Sequence, residues 1–129
     1  MTVPALPAQR PSVLLVEDDS AVRRSIQLML QARGYEVRAF ASGVAALADP
    51  AVGEAACLIT DYRMIDMSGA ELLRGLRVAG WRRPAILITA YRRDAVALGD
   101  DGTQFDEVFE KPLLDHRLLA CVDRATGRA

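Results

Sequence analysis

Five side chains that could do chemistry each stand at the end of a short apolar run. Glu17 and Asp18 come directly after the first such run, Asp61 and Thr89 end two others, and Lys111 follows a fourth. If these runs are strands of one parallel sheet, their carboxyl ends meet at one edge, which is where ligands bind in open α/β folds. Three carboxylates, a hydroxyl and an ammonium group would then lie together.

This set of groups favours phosphoryl transfer. Three crowded acids have raised pKa values unless a cation joins them, and a small all-oxygen ligand set that leaves room for water and phosphate suits Mg²⁺ better than Ca²⁺. Lys111, the only lysine in the chain, and Thr89 can meet a phosphoryl group by charge and by hydrogen bond. An aspartate such as Asp61 can accept that group, and positioning and charge neutralisation do most of the catalysis.

The elements that must position these groups follow from the apolar pattern. Short apolar runs predict buried strands, and runs with helical spacing alternate with them. The predicted strands are 13–16, 35–40, 57–60, 85–88 and 108–110; the predicted helices start near residues 20, 43, 70, 92 and 113. Because parallel neighbours need crossover connections, five strands alternating with five helices predict an α/β fold with a five-stranded parallel sheet covered on both faces.

Length and composition narrow the function classes. The chain has 129 residues and a net charge of −1, which predicts one domain and argues against direct capture of nucleic acid or an anionic membrane. We expect a flexible arm over 1–11, a domain over 12–125 and a short tail over 126–129. Apolar runs are too short to span a bilayer, and residues 1–12 lack a secretory pattern, so we expect a cytoplasmic protein. Cys57 and Cys121 are interpreted as buried reduced thiols.

Two other functions compete with that of a phosphorylation switch: a phosphatase and a nucleotide- or flavin-binding protein. A Mg²⁺-dependent phosphatase that uses an aspartyl phosphate needs a second acid near the acceptor, and Asp66, five residues beyond Asp61, is poorly placed for that role. A nucleotide- or flavin-binding protein would show a glycine-rich phosphate loop after a strand, and the sequence has none. We therefore expect no turnover of an external substrate. His116, the only histidine, is interpreted as a surface residue.

Across nearly all of residues 12–125 the sequence resembles the receiver domain of bacterial two-component response regulators. Four stretches carry the resemblance, in order and at the family's spacing: Val-Leu-Leu-Val-Glu-Asp-Asp at 13–19, Leu-Ile-Thr-Asp-Tyr-Arg-Met at 58–64 with Gly69, Ile-Leu-Ile-Thr-Ala at 86–90, and Glu-Lys-Pro at 110–112. The resemblance implies a flavodoxin-like, doubly wound (βα)5 fold with strand order 2-1-3-4-5.

The resemblance also implies a role for each site residue. Asp61 would be the phosphoacceptor, Asp18 a direct Mg²⁺ ligand, Glu17 a ligand acting more through water, and the backbone carbonyl of Arg63 the remaining ligand from the protein. Thr89 would be the switch hydroxyl and Lys111 would neutralise the phosphoryl charge, with a cis peptide before Pro112.

The implied partner is a sensor histidine kinase or a histidine phosphotransfer protein, from which the chain would take its phosphoryl group. We find no output domain in the sequence, so we expect a single-domain regulator whose signal leaves by contact with a downstream protein. Direct nucleic-acid or membrane binding is not expected, and a homodimer is left open.

The sequence departs from the family pattern at two positions, neither of which is the phosphoacceptor. One lies in the loop after Asp61, and the other lies in the region where the family changes conformation on phosphorylation. Ile65 stands where the family usually has proline, in the loop after Asp61. Val108, three residues before Lys111, stands where the family usually has tyrosine or phenylalanine. Because valine has no ring to turn, we expect either a smaller conformational change or a substitute ring from Phe105 or Tyr91.

Overall fold

The computed structural model describes residues 10–90, 105–112 and 115–128. Five parallel strands form one sheet in the order β2-β1-β3-β4-β5. The strands are β1 (Ser12–Val16), β2 (Glu36–Phe40), β3 (Cys57–Asp61), β4 (Ala85–Thr89) and β5 (Glu107–Glu110). The helices within the described ranges are α1 (Ser20–Ala32), α2 (Gly43–Leu47), α3 (Gly69–Val78) and α4 (Asp115–Ala125), with one 3-10 turn at Val52–Glu54.

The predicted fold class and strand order are confirmed. Each predicted strand is present with ends that differ by at most one residue. Two strands extend onto chemically important residues, because Asp61 and Thr89 still occupy ladder positions beside Ile88 and Glu110. Three predicted segments fall outside the described residues: the helix over 92–98, residues 1–9 of the predicted arm over 1–11, and the start of the last helix at 113–114.

The sheet is buried on both faces, as expected when crossover helices cover a parallel sheet. Alternate side chains of each strand point to opposite faces, so Leu14 and Leu58 join one cluster while Val13 and Ile59 join the other. Helices α2 and α3 cover the first cluster, and helices α1 and α4 cover the second. Buried helical residues include Ala46, Leu72, Leu73 and Leu76 on the first face and Ile26, Leu30, Leu118 and Val122 on the second.

Local signals set the ends of the helices. The carboxylate of Asp19 accepts hydrogen bonds from two amides at the start of α1, and the hydroxyl of Ser42 accepts one from the amide of Ala45 in α2. Ser68 and Glu71 form a reciprocal capping box at the start of α3. Gly34 follows α1 with a φ of +98°, a conformation that glycine adopts without steric cost. These caps hold the loops between strand ends and helices in fixed positions.

A polar cluster joins the end of α4 to the connection between α1 and β2. The carboxylate of Asp123 accepts a hydrogen bond of 2.5 Å from Tyr35 and one of 2.7 Å from Arg33. Thr126 lies 3.1 Å from the Tyr35 hydroxyl, and the guanidinium of Arg128 lies over the Tyr35 ring. Thr126 and Arg128, within the predicted tail, therefore pack on the domain.

The two cysteines are free and buried, which confirms their interpretation as buried thiols. Burial raises the pKa of the Cys57 thiol to about 12. Among the helices of the described ranges, none combines the length and the apolar character that crossing a membrane requires.

Candidate functional site

The strand register brings the predicted site residues to one edge of the sheet. Asp61 is the last residue of β3 and Thr89 the last of β4, and these two strands are neighbours. Glu17 directly follows β1, and β1 pairs with β3 on the side of β3 opposite to β4. Lys111 directly follows β5, and its amide donates to the carbonyl of Thr89 at 2.8 Å. All four residues therefore lie at the carboxyl edge, as predicted.

Lys111 links two of the carboxylates. Its Nζ lies 2.5 Å from Oε1 of Glu17 and 3.3 Å from Oδ2 of Asp61. The other oxygen of each carboxylate is also held: Oδ1 of Asp61 accepts from the amide of Tyr62 at 2.8 Å, and Oε2 of Glu17 accepts from the amide of Asp19 at 3.1 Å. Glu17 is fully buried and Asp61 is 7% exposed, so both carboxylates have fixed orientations.

Asp18 completes a group of three acids. One carboxylate oxygen from each of Glu17, Asp18 and Asp61 lies within 4.8 Å of the others. Asp18 is exposed, in contrast to its two buried neighbours. This set faces one ammonium group, that of Lys111, so a divalent cation would balance the remaining negative charge. Three oxygen donors on an open edge fit Mg²⁺, which keeps several water ligands.

The pKa values of the site reflect this crowding. Burial raises the pKa of Glu17, and the charge of Asp61 adds to that effect while the hydrogen bond from Lys111 opposes it. Burial, followed by the hydrogen bond and the charge of Glu17, raises the pKa of Asp18. Burial alone would lower the pKa of Lys111, but its contacts with Glu17 and Asp61 outweigh burial and raise it. Lys111 therefore stays protonated beside the acids.

Thr89 and Arg63 occupy the predicted positions, and their roles remain predictions. Thr89 is 1% exposed at the end of β4. Arg63 is an exposed residue of the loop after β3, where it forms an isolated antiparallel bridge with Ser68. This bridge closes the loop that follows Asp61, so the backbone beside the acceptor is held at both ends.

Sequence reasoning located Gly69 as the end of this loop but missed why glycine is needed there. The amide of Gly69 donates to the carbonyl of Tyr62 at 2.8 Å. A Cβ atom on Gly69 would lie 2.4 Å from the backbone oxygen of Asp61, a distance that real Cβ atoms essentially never show. Gly69 thus lets the start of α3 pass against the backbone of Asp61. The glycine three residues before the first leucine of the α3 stripe, Leu72, was the available signal.

Two anchoring side chains were also missed. Asp66 accepts from the amide of Val44 at 2.7 Å and from that of Gly43 at 3.3 Å, which fixes the loop after β3 to the start of α2. Arg23 of α1 donates to the backbone carbonyl of Glu17 at 2.8 Å. Both contacts join residues that are distant in the chain or on different elements, so neither had a local sequence signal.

The sequence left open whether Phe105 or Tyr91 supplies an aromatic ring in place of the one that Val108 lacks. Val108 is half-buried and packs against the core cluster that contains Phe105, whereas Phe109 packs against the opposite cluster. A phenylalanine ring is therefore present on the same side of the sheet as Val108, while Tyr91 lies outside the described residues. The Lys111–Pro112 peptide is cis, as expected, and His116 is exposed.

Comparison with known proteins agrees with this arrangement. Residues 13–123 match the family model of the response regulator receiver domain. The chain is 34% identical over 115 residues to the transcriptional regulatory protein FixJ of Rhizobium meliloti, covering 89% of this chain and 56% of FixJ. It is 31% identical over 110 residues to the regulatory protein DctR of Rhodobacter capsulatus, covering 84% of this chain and 56% of DctR. The chain thus spans about half the length of these relatives.

Solved structures show the same fold. The response regulator TrrA of Thermotoga maritima, crystallised with Mg²⁺ and BeF, superposes with a TM-score of 0.80 at 27% identity, covering 89% of this chain and 98% of TrrA. A sensor protein from Polaromonas sp. JS666 superposes with a TM-score of 0.82 at 26% identity, covering 92% of this chain and 97% of that protein.

Proposed function

This chain belongs to the response regulator receiver domain family, and we propose that it is switched by transfer of a phosphoryl group to Asp61. The observation that carries the proposal is the convergence of Asp61 with Glu17, Asp18 and Lys111 at one sheet edge. An isolated strand-end acid would not need a half-buried lysine and two further acids beside it.

The chain's own residues can support the transfer. A carboxylate oxygen of Asp61 forms the bond to phosphorus as the phosphorus–nitrogen bond of a phosphohistidine breaks; the electron pair stays on the imidazole, which then takes a proton. Lys111, already 3.3 Å from Asp61, is positioned to neutralise the charge of the phosphoryl oxygens. Thr89, on the neighbouring strand end, would hydrogen-bond the transferred group.

Mg²⁺ fits the remaining oxygens, and we propose that the acids hold it. Asp18 would be a direct ligand, since it is exposed, and Asp61 would supply a second oxygen. Glu17 would act more through water because it is fully buried and holds Lys111 at 2.5 Å, closer than the 3.3 Å between Lys111 and Asp61. The backbone carbonyl of Arg63 would be the remaining ligand. The ion supplies charge neutralisation of the phosphoryl oxygens.

The proposed phosphodonor is a sensor histidine kinase or a histidine phosphotransfer protein, and the proposed location is the cytoplasm, where such donors present their phosphohistidine. The signal would leave through contact with a downstream protein. This part of the proposal rests on the family resemblance, and the matched relatives FixJ and DctR are regulatory proteins about twice as long as the matched region.

The geometry of Asp66 argues against a phosphatase that acts on external substrates. A general acid must carry a proton, but the hydrogen bond from the Val44 amide lowers the pKa of Asp66. Its carboxylate is also directed at the start of α2 by its bonds to Gly43 and Val44. Asp66 is therefore better explained as an anchor of the loop than as a catalytic acid.

The direct test compares the wild-type chain with Asp61→Asn and Asp66→Asn after incubation with acetyl phosphate and Mg²⁺. Intact-mass spectrometry should show addition of one phosphoryl group to the wild type and to Asp66→Asn, and none to Asp61→Asn. Asparagine keeps the shape of aspartate but is not a nucleophile, so the fold should survive. Equal labelling of Asp61→Asn and the wild type would overturn the assignment of the acceptor.

A further inference from the structure

Arg23 is a half-buried cation that contacts the acidic site, although the proposed transfer gives it no role. It lies on α1, one turn beyond Asp19, and its Nη1 donates to the backbone carbonyl of Glu17 at 2.8 Å. The next residue, Arg24, is exposed, and its side chain makes no hydrogen bond or ion pair with the described residues. The two neighbouring arginines therefore differ in one contact, the bond to Glu17.

The bond from Arg23 acts on the peptide group that joins Glu17 to Asp18. Because a peptide group is planar, a restraint on the carbonyl oxygen of Glu17 also restrains the direction in which the backbone enters Asp18. The amide of Glu17 is held as well, since it donates to the carbonyl of Phe40 at 3.0 Å. The backbone after β1 is thus tied to β2 on one side and to α1 on the other.

Asp18 depends on this restraint more than Glu17 does. The carboxylate of Glu17 is fully buried and is held by Lys111 and by the amide of Asp19. Asp18 is exposed, and its carboxylate has hydrogen bonds with Glu17 and with its own backbone amide. Both of these partners lie within one residue of Asp18 in the chain, so neither bond ties Asp18 to α1. Its direction toward Asp61, within the 4.8 Å group of acids, therefore follows from the orientation of its backbone.

Arg23 can fix that orientation because the start of α1 is itself fixed. The carboxylate of Asp19 accepts from two amides of the first turn at 2.9 and 3.1 Å. The amide of Arg23 donates to the carbonyl of Asp19 at 2.9 Å. On the inner side of the same helix, Ile26 is buried in the second core cluster. The guanidinium of Arg23 therefore connects the end of the strand to a helix that is anchored in the core.

Position and charge would make Arg23 act on a bound Mg²⁺ in opposite directions. A cation beside the acids repels a second cation, so charge alone would make Mg²⁺ bind more tightly when Arg23 is removed. A residue that orients a metal ligand has the opposite effect, and its loss typically weakens metal affinity by about 10–100-fold. Water and salt screen the charge of a half-buried side chain but do not replace a lost ligand orientation. The positional effect should therefore dominate.

We propose that Arg23 is a positioning residue for the Mg²⁺ site, acting through the peptide between Glu17 and Asp18 to hold Asp18 toward Asp61. The inference rests on the Mg²⁺ site of the proposed function. It does not require that Asp61 accepts a phosphoryl group.

The experiment compares Arg23→Met and Arg24→Met with the wild-type chain. Each variant loses one positive charge and keeps a long unbranched side chain, so the pair isolates the bond to the Glu17 carbonyl. The amide chemical shifts of Asp18 and Asp61, followed as Mg²⁺ is added, give the Kd. Mg²⁺ should bind about tenfold more weakly to Arg23→Met and within about twofold of the wild type to Arg24→Met. Arg23→Lys should recover part of the loss, because an ammonium group can still donate to the carbonyl.

A second measurement separates positioning from a general defect of the fold. The initial rate of phosphorylation by acetyl phosphate is measured over a range of Mg²⁺ concentrations. Arg23→Met should need about tenfold more Mg²⁺ for its half-maximal rate and should then reach the wild-type maximum. A lower maximum at an unchanged half-maximal Mg²⁺ concentration would mean that Arg23 only supports the fold, and the proposal would be overturned.

The remaining outcomes distinguish this inference from the site on which it rests. An equal Kd in the two methionine variants, or tighter binding by Arg23→Met, would overturn the role of Arg23 and leave the Mg²⁺ site in place. Wild-type shifts that do not respond to Mg²⁺ would overturn the metal site and this inference together. If Arg23→Met does not fold, Arg23→Lys and Arg24→Lys make the same comparison. Weaker Mg²⁺ binding by Arg23→Lys than by Arg24→Lys would support the proposal, and equal binding would overturn it.

Discussion

At the scale of single residues, the site holds three carboxylates, and the ammonium group of Lys111 balances only part of their negative charge. Glu17 and Asp61 share the one ammonium group of Lys111, and Asp18 has its carboxylate close to both. The raised pKa values of Glu17 and Asp18 show that the folded chain disfavours their ionised forms. A bound cation would relieve that cost, which supports the proposal that these acids hold Mg²⁺.

The first prediction concerns the unequal roles of the two acids after β1. Asp18→Ala should weaken Mg²⁺ binding more than Glu17→Ala, because Asp18 is exposed and Glu17 is bonded to Lys111 and to the Asp19 amide. Binding is followed by the rise of the thermal midpoint with Mg²⁺, which reports affinity through linkage. Mg²⁺ at about four times its Kd should stabilise the wild type by about 1 kcal/mol. A larger loss of affinity in Glu17→Ala would reverse the assignment.

At the scale of elements, loop anchoring positions Asp61 more than the strand alone does. The amides of Tyr62 and Gly69, the Arg63–Ser68 bridge and the bond from Val44 to Asp66 all restrain the eight residues after β3. The usual proline at position 65 is absent, yet Ile65 sits between two of these anchors. The loop is thus restrained by contacts with α2 and α3 rather than by proline.

The second prediction tests the close approach at Gly69. Gly69→Ala should lower the free energy of unfolding by about 1–3 kcal/mol, because the added Cβ would overlap the backbone of Asp61 and force a shift. The shift should also slow phosphorylation by acetyl phosphate. Gly53→Ala is the matched control, since a Cβ there meets nothing within 4 Å. Urea unfolding measures the stability, and identical midpoints for the two variants would refute the steric account.

Most of the secondary-structure elements were predictable from the sequence. The contacts that anchor the loops were not, because they have no local sequence signal. Strand positions and the starts of α1, α2 and α3 follow from local patterns, so they were predicted within a residue or so. The bond between Asp66 and α2 joins residues more than twenty positions apart, and no local pattern encodes it. The Arg23 contact with the Glu17 carbonyl spans only six residues, but it joins α1 to the residue after β1, and no local pattern encodes it either. The effect of Val108 on the conformational change that follows phosphorylation stays a prediction.

At the scale of the whole molecule, the two edges of the sheet carry different kinds of polar groups. The carboxyl edge holds three acids whose negative charge is only partly balanced. At the other end of the sheet, the cluster of Asp123, Arg33 and Tyr35 joins α4 to the end of α1, and there the charge of Asp123 is balanced by Arg33. In the latter, the hydrogen bond from Arg33 lowers the pKa of Asp123, and the hydrogen bond from Tyr35 adds to that effect. Charge is therefore balanced where the protein needs stability and unbalanced where we propose that it binds an ion and phosphate.

The third prediction follows from the lowered pKa of Asp123. An acid with a lowered pKa in the folded state contributes stability above its unfolded pKa, near 3.8, and loses it as the pH falls through the folded value. Asp123→Asn should therefore be less stable than the wild type at pH 7, and the difference should shrink below about pH 4. Glu36→Gln, an exposed acid on β2, is the control. A difference between Asp123→Asn and the wild type that is independent of pH would exclude this electrostatic origin.

The central claim is that Asp61 is the phosphoacceptor, and chemical trapping of the phosphorylated wild-type chain tests it most directly. Borohydride reduces an aspartyl phosphate to homoserine, so peptide mapping after reduction marks the modified position. After treatment with acetyl phosphate and Mg²⁺, we predict homoserine at position 61, and no homoserine when EDTA replaces Mg²⁺. Homoserine at another aspartate, or a folded, Mg²⁺-loaded chain that yields none, would contradict the account.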